Sequence, residues 1–223
     1  MAIKAIVLDL DGTLYRAAAS KAADSGAINR VHIYLEREKV INKVGKRSIH
    51  YFQKRMDMGV ISMTIRHLSR KCNLDQNKFN KFVYGSDPAK FGIKRDQSLI
   101  DLLTPLSKKY PIFICTNSPM IWASKVVRIL GLAKLIGSAW IISLEDMGGY
   151  LKPEKGAFRL MLTKLNLKHD EIIFLDDNAR NIAVAKSMGI TSFRVENEGI
   201  ESHNSIYSVL DRLTYKLLRA NKN

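Results

Sequence analysis

The chain carries five short runs of apolar residues, most of which end in a polar or acidic residue. They are Ile3–Leu8, Ile112–Cys115, Ala139–Ile142, Ile172–Leu175 and a weaker run, Ile190–Val195. Short segments that are apolar at nearly every position are typical of strands buried on both faces of a parallel sheet. The pattern therefore predicts a parallel sheet built from these five segments.

Apolar residues between the later runs recur at the spacing of one helix face. We expect a helix from Met120 to Leu130, a second with Pro153 at its first position, and a third capped by Asn178. From about Ser202, a last amphipathic helix is expected to pack on the sheet through Ile206, Val209, Leu210, Leu213 and Leu217. The alternation of strands and helices predicts an α/β fold with a doubly wound, Rossmann-like parallel sheet.

One long segment interrupts this alternation. Residues 15–94 separate the first predicted strand from the second by far more than one crossover requires. The periodicity within the segment is helical in three places, at Ile28, Val31 and Leu35, at Ile61, Ile65 and Leu68, and at Phe79, Phe82 and Val83. We therefore expect an α/β core of residues 1–14 and 95–223, with residues 15–94 inserted as an α-helical cap.

The composition is that of a globular protein. Hydrophobic residues make up 46% of the 223 positions and charged residues 26%, and no apolar run reaches the roughly 18 residues that a membrane helix needs. The first residues do not resemble a secretory signal, because Lys4 and Asp9 interrupt the apolar run. The two cysteines, Cys72 and Cys115, lie far apart and fit free thiols. A cytoplasmic protein without a membrane partner is expected.

The net charge of +15 allows two interpretations. A basic protein can bind nucleic acid, or its field can attract small anionic substrates. The basic residues are spread along the chain, and no zinc finger, basic-region helix or aromatic RNA-binding pattern accompanies them. The sequence argues against nucleic acid as the partner, but the charge alone does not decide.

Acidic pairs follow two of the predicted strands. Asp9 and Asp11 follow the first, and Asp176 and Asp177 end the fourth. Each pair taken alone could be a turn or a helix cap. Carboxyl ends of parallel strands meet at one edge, where Asp9 and Asp11 point the same way if the chain stays extended. Carboxylates this close need a counter-charge, and an all-oxygen site suits Mg²⁺.

Two further segments fit the same edge. Thr116, Asn117 and Ser118 follow the second strand and open a helix, an arrangement that serves either as an ordinary cap or as a phosphate site. Lys152 precedes Pro153 and could balance either the carboxylates or a phosphate. Alone, such a lysine would more often be a solvated surface residue.

Taken in order, these motifs resemble those of the haloacid dehalogenase-like hydrolases. The motifs are Asp9-x-Asp11-Gly12-Thr13, Thr116, Lys152-Pro153 and Asp176-Asp177. The segments 113–118 and 173–189, Tyr15, and Ile28-Asn29 are most similar to the pyrimidine 5′-nucleotidase-like branch. The resemblance covers nearly the whole chain.

The resemblance implies a phosphatase acting on a small phosphorylated metabolite, with a nucleoside monophosphate as first candidate. Asp9 would be the nucleophile and Asp11 the general acid and base. Thr116, the Asn117 N–H and Lys152 would bind the phosphate. Mg²⁺ would be held by the Asp9 carboxylate, the Asp11 carbonyl, Asp176 and Asp177.

Three alternatives stay open. A phosphomutase would keep all these motifs, a dehalogenase would share the fold but needs no acid at Asp11, and a basic binding protein could use the scaffold without catalysis. Candidate cap contacts to the substrate are Lys46, Arg47, Gln53, Lys54 and Arg55. The sequence leaves the oligomeric state open.

Overall fold

The computed structural model describes residues 2–39, 72–196 and 202–219. Five parallel strands form one sheet in the order β3-β2-β1-β4-β5. The strands are β1 (Ala5–Leu8), β2 (Ile112–Cys115), β3 (Ile141–Ile142), β4 (Ile172–Asp176) and β5 (Thr191–Arg194). Each lies within or overlaps one of the five apolar runs, which confirms the predicted sheet.

The register of the central strands brings their carboxyl ends to one edge. Leu8 of β1 is paired with Ile114 of β2 on one side and with Leu175 of β4 on the other. The residues that follow these three positions therefore emerge together. The chain adds β2 and β3 on one side of β1 and then crosses back to add β4 and β5 on the other. Such a switch point is where open α/β sheets bind ligands.

Seven α-helices lie in the described residues. They are α1 (Ala17–Arg37), α2 (Gln76–Val83), α3 (Gln97–Ser107), α4 (Met120–Ile129), α5 (Lys155–Leu165), α6 (Ala179–Ser187) and α7 (Ile206–Thr214). Side chains of Asp75, Asp96, Asn178 and Ser205 accept backbone N–H groups at the starts of α2, α3, α6 and α7. The cap predicted at Asn178 and the final amphipathic helix are thus confirmed. No described helix is long and apolar enough to cross a membrane.

The prediction for Pro153 is wrong. Helix α5 begins at Lys155 with Glu154 as its N-cap, and Pro153 lies before it after a cis peptide bond. The Glu154 N–H donates to the Leu151 carbonyl at 2.7 Å. That bond closes a turn, so the chain cannot enter the helix at Pro153.

The core occupies both faces of the sheet. Ile6 and Leu8 join the larger cluster, whereas Ala5 and Val7 join a smaller one on the opposite face. The larger cluster also includes apolar residues of the predicted cap, among them Val31, Leu35, Phe79 and Val83. Both described helices of the 15–94 segment therefore share a core with the sheet. Whether residues 15–94 form a separate cap stays a prediction, and its members Ile61, Ile65, Leu68, Lys46, Arg47, Gln53, Lys54 and Arg55 lie outside the described residues.

Candidate active site

A tight turn follows β1 and carries the first acidic pair. Backbone N–H groups of Thr13 and Leu14 donate to the Leu10 carbonyl, which closes the turn. Gly12 has a φ of +84°, and a Cβ at this position would lie 2.6 Å from Asp177 Oδ2. Glycine is therefore required both for its backbone conformation and because the second acidic pair approaches so closely.

Asp9 lies at the centre of a buried charge network. Its Oδ1 accepts a hydrogen bond from Lys152 Nζ at 2.7 Å, and its Oδ2 accepts one from Thr13 Oγ1 at 2.9 Å. The Lys152 ammonium also donates to Asp176 Oδ2 at 2.8 Å and to the Cys115 carbonyl at 2.7 Å. The lysine is thus a buried counter-ion, and the surface alternative for it is excluded.

Three carboxylates converge on one point. One oxygen each of Asp9, Asp176 and Asp177 lies within 4.8 Å of the others. Asn181 Nδ2 donates to both oxygens of Asp176, and Thr13 Oγ1 accepts the Asp177 N–H at 3.0 Å. These bonds fix the carboxylates at close range. The donor set fits a hard divalent cation such as Mg²⁺, because all three ligands are carboxylate oxygens.

The negative charge of this cluster exceeds its positive charge. Burial raises the pKa of Asp9 well above its ordinary value; Lys152 opposes this, while Asp176 and Asp177 add to it. Burial and Asp176 raise the pKa of Asp177 to about 6. Burial alone would lower the pKa of Lys152, but Asp176 and Asp9 outweigh it and raise the pKa. One ammonium therefore faces three carboxylates, and a bound cation would let all three ionise.

The Asp11 carboxylate points away from this cluster. It accepts hydrogen bonds from Tyr15 OH at 2.5 Å, Ser118 Oγ at 2.7 Å, Trp122 Nε1 at 2.8 Å and Thr116 Oγ1 at 3.2 Å. The expectation that Asp9 and Asp11 point the same way is wrong, because the chain turns directly after β1 instead of staying extended. Four donors instead hold the Asp11 carboxylate beside the segment after β2.

The Thr116–Ser118 segment contacts both Asp11 and Lys152. The side chain of Asn117 and the backbone of Lys152 exchange two hydrogen bonds, both of 2.9 Å, which fix the start of the lysine side chain. The Ser118 N–H donates to Thr116 Oγ1. Helix α4 begins only at Met120, so the segment is a turn before the helix and not its first residues.

Five residues hold the predicted site residues in place but were given no role in the prediction: Thr13, Tyr15, Ser118, Trp122 and Asn181. All except Trp122 lie in the motifs and segments on which the family resemblance rests. The indole N–H of Trp122 reaches Asp11 from α4. Because Trp122 and Asp11 are 111 positions apart in the sequence, no local pattern indicates that they meet. Cys115 is a free thiol, as predicted, and burial raises its pKa to about 12.

The model of the haloacid dehalogenase-like hydrolase family matches residues 3–189. The chain belongs to this family. The predicted superfamily is confirmed, and with it a hydrolase of α/β fold. The match does not extend to the nucleotidase-like branch.

Solved structures share the fold at low sequence identity. YfnB from Bacillus subtilis, solved with bound magnesium, has a TM-score of 0.55 and 15% identity over 98% of this chain and 100% of its own. A haloacid dehalogenase-like family protein from Streptococcus pneumoniae has a TM-score of 0.53 and 19% identity over 96% and 98%. L-2-haloacid dehalogenase from Xanthobacter autotrophicus, solved with chloropropionic acid covalently bound, has a TM-score of 0.52 and 19% identity over 95% and 88%.

Proposed function

We propose that this hydrolase is a Mg²⁺-dependent phosphatase that cleaves a small phosphomonoester through an aspartyl-phosphate on Asp9. The observation that carries the proposal is Asp11. A second carboxylate lies two residues from Asp9 and accepts a hydrogen bond from Thr116 Oγ1 at 3.2 Å. Loss of an alkoxide requires a proton donor, whereas loss of a halide does not. A nucleoside monophosphate is the first candidate substrate, on the resemblance to the nucleotidase-like branch.

Asp9 is the proposed nucleophile. Attack by a carboxylate on phosphorus divides one displacement into two easier ones. Thr13 and Lys152 hold the two oxygens of Asp9 in a fixed orientation. Because one carboxylate oxygen must leave its partner to attack, the weaker bond to the neutral Thr13 hydroxyl is the one we expect to open.

Asp11 would act as general acid and then as general base. It would protonate the leaving oxygen, and then accept a proton from the water that attacks the aspartyl-phosphate. Its four donors hold the Asp11 carboxylate in one orientation.

The phosphate oxygens would be bound by Thr116 Oγ1, the Asn117 N–H and Lys152. The ammonium of Lys152 already contacts Asp9, so a phosphate on Asp9 lies within its reach. The Asn117 side chain serves this arrangement indirectly, because it fixes the Lys152 backbone. Fixed donors of this kind stabilise charge in the transition state.

Mg²⁺ would be held by the carboxylates of Asp9, Asp176 and Asp177 and by the Asp11 backbone carbonyl. When bound, it would supply positive charge that shields the phosphate from the carboxylates and stabilises the transition state. Residues 15–94 would form the cap that excludes water and selects the substrate.

Dehalogenation is the second candidate, because dehalogenases occur among the proteins of similar fold. Loss of a halide needs no proton donor, however, so a dehalogenase would have no use for Asp11 as an acid. A phosphomutase would differ in passing the phosphoryl group to a substrate hydroxyl. Release of inorganic phosphate separates these reactions.

The test is hydrolysis of p-nitrophenyl phosphate with Mg²⁺ by the wild type and by Asp9→Asn. We expect the substitution to lower kcat by at least about 10³-fold, because it removes the nucleophile. Asp211→Asn, which removes a carboxylate from an exposed position on α7, should leave kcat unchanged. Phosphate release that persists in Asp9→Asn, or in excess chelator, contradicts the proposal.

A further inference from the structure

One carboxylate outside the sequence motifs lies close to Asp11. Asp24 lies on α1, the helix that follows the β1 turn. It lines a small cavity together with Asp11, Ser86, Ser118 and Trp122. Of the residues that the structure describes, none donates a hydrogen bond to the Asp24 carboxylate.

This cavity has the size of a single polar group. Its volume is about 20 Å³, and a cavity of roughly 10–15 Å³ or more, measured in this way, holds one water. Asp11 and Asp24 contribute a carboxylate each, and Tyr84, Ser86 and Ser118 are the hydroxyl residues of the described lining. A group that fills the space must therefore donate hydrogen bonds, because its charged neighbours only accept them.

The charge around the cavity excludes an anion. Lysine, arginine and histidine are absent from its lining in the part of the chain that the structure describes. Burial, with Asp11 and Asp177 adding to it, raises the pKa of Asp24 to about 7. A second phosphate or a carboxylate placed here would meet two acidic residues without a cation, whereas a hydroxyl or ammonium would stabilise both.

We propose that Asp24 determines substrate specificity: it selects phosphomonoesters whose leaving group is neutral or cationic and carries a hydroxyl or ammonium close to the ester oxygen. The inference rests on the proposed phosphatase function, since Asp11 marks the side of the site where the leaving group lies. It narrows that function to polyol, nucleoside or amino-alcohol phosphates. Bisphosphates and phosphorylated carboxylic acids are disfavoured.

Four phosphates of matched length test the proposal. They are 2-aminoethyl, 2-hydroxyethyl and n-propyl phosphate and 2-phosphoglycolate, which differ in the terminal group: ammonium, hydroxyl, methyl or carboxylate. For each, kcat/KM is measured with Mg²⁺ in the wild type, Asp24→Asn and the control Asp211→Asn. Values are divided by that for propyl phosphate with the same protein, so that general effects of a substitution cancel.

We expect Asp24→Asn to lower the relative kcat/KM for the ammonium substrate by about tenfold or more, the usual effect of losing a charged hydrogen-bond partner. The relative value for 2-phosphoglycolate should rise, and Asp211→Asn should change neither. Equal changes for all four substrates would show a merely structural role and overturn the proposal. If the wild type hydrolyses p-nitrophenyl phosphate but the relative kcat/KM values do not change in Asp24→Asn, only the specificity inference fails. If the wild type hydrolyses no phosphate ester, the proposed phosphatase function fails as well.

Discussion

At the scale of single residues, several side chains of the site raise the free energy of the folded chain. Asp24 is the clearest case, since it is partly buried, lacks a donor among the described residues and faces Asp11, Asp177 and Tyr15. Such a carboxylate destabilises the fold when ionised. Residues kept at a cost in stability are typical of functional sites.

This cost predicts a pH-dependent gain in stability for Asp24→Asn. The carboxyl has a pKa of about 7 in the folded state, against an ordinary value of 3.8. The folded state therefore binds the extra proton between these values, and stability falls as pH rises through them. In chelator, we expect the variant to exceed the wild type by about 1–2 kcal/mol at pH 8, since solvent screens part of the pKa difference, and by much less at pH 4. Urea unfolding at both pH values measures this difference.

The matched control for this measurement is Asp211→Asn. Its carboxylate is exposed on α7, so its removal should change stability little at either pH. A gain in Asp24→Asn that is the same at pH 4 and pH 8 would contradict the assigned ionisation.

At the scale of elements, the last helix completes the larger core cluster. Leu210 and Leu213 of α7 are buried, together with Leu103 and Leu106 of α3. The Tyr207 hydroxyl donates to Asp96 Oδ2 at 2.6 Å, and Asp96 also caps α3. Helix α7 therefore fixes the start of α3 as well as covering the sheet.

Removal of one apolar side chain from α7 should destabilise the whole domain. Leu210→Ala deletes a side chain with 0% exposure, and such changes cost about 2–5 kcal/mol. The neighbouring Asp211→Ala removes an exposed side chain from the same helix and should cost less than about 0.5 kcal/mol. Denaturant unfolding compares the two, and equal values would show that α7 does not pack as described.

At the scale of the whole molecule, the acidic cluster joins distant parts of the chain. Asp9 follows β1 and Asp176 ends β4, so the proposed metal site exists only when the sheet is assembled. A ligand that binds only the folded state stabilises it, by about 2.7 kcal/mol at one hundred times its Kd. Mg²⁺ should therefore raise the Tm of the wild type.

The Mg²⁺ effect on Tm should depend on the cluster and not on the net charge of +15. Asp177→Asn removes one proposed ligand and should abolish most of the shift, whereas Asp211→Asn should retain it. Scanning calorimetry with and without MgCl₂, at constant ionic strength, measures both. An equal Tm shift in Asp177→Asn would show that Mg²⁺ does not bind at this cluster.

The sequence by itself determined the sheet, the positions of α4, α6 and α7, and the family. Apolar runs are local signals, because a strand buried on both faces must be apolar throughout, and all five predicted strands are present. The acidic pairs at Asp9 and Asp176–Asp177 were predictable for the same reason, since parallel strands end at one edge. The superfamily followed from the order of these motifs.

The tertiary structure alone decided where the side chains point and which distant residues meet. Backbone turns set the direction of Asp11, and the turn before α5 removed Pro153 from the helix. Trp122 reaches Asp11 across 111 positions, and Lys152 reaches Asp9 across 143. Asp24 had no motif to mark it, because its role depends on packing of α1 over the sheet. Such pairings arise from three-dimensional packing, which the periodicity of a sequence does not encode.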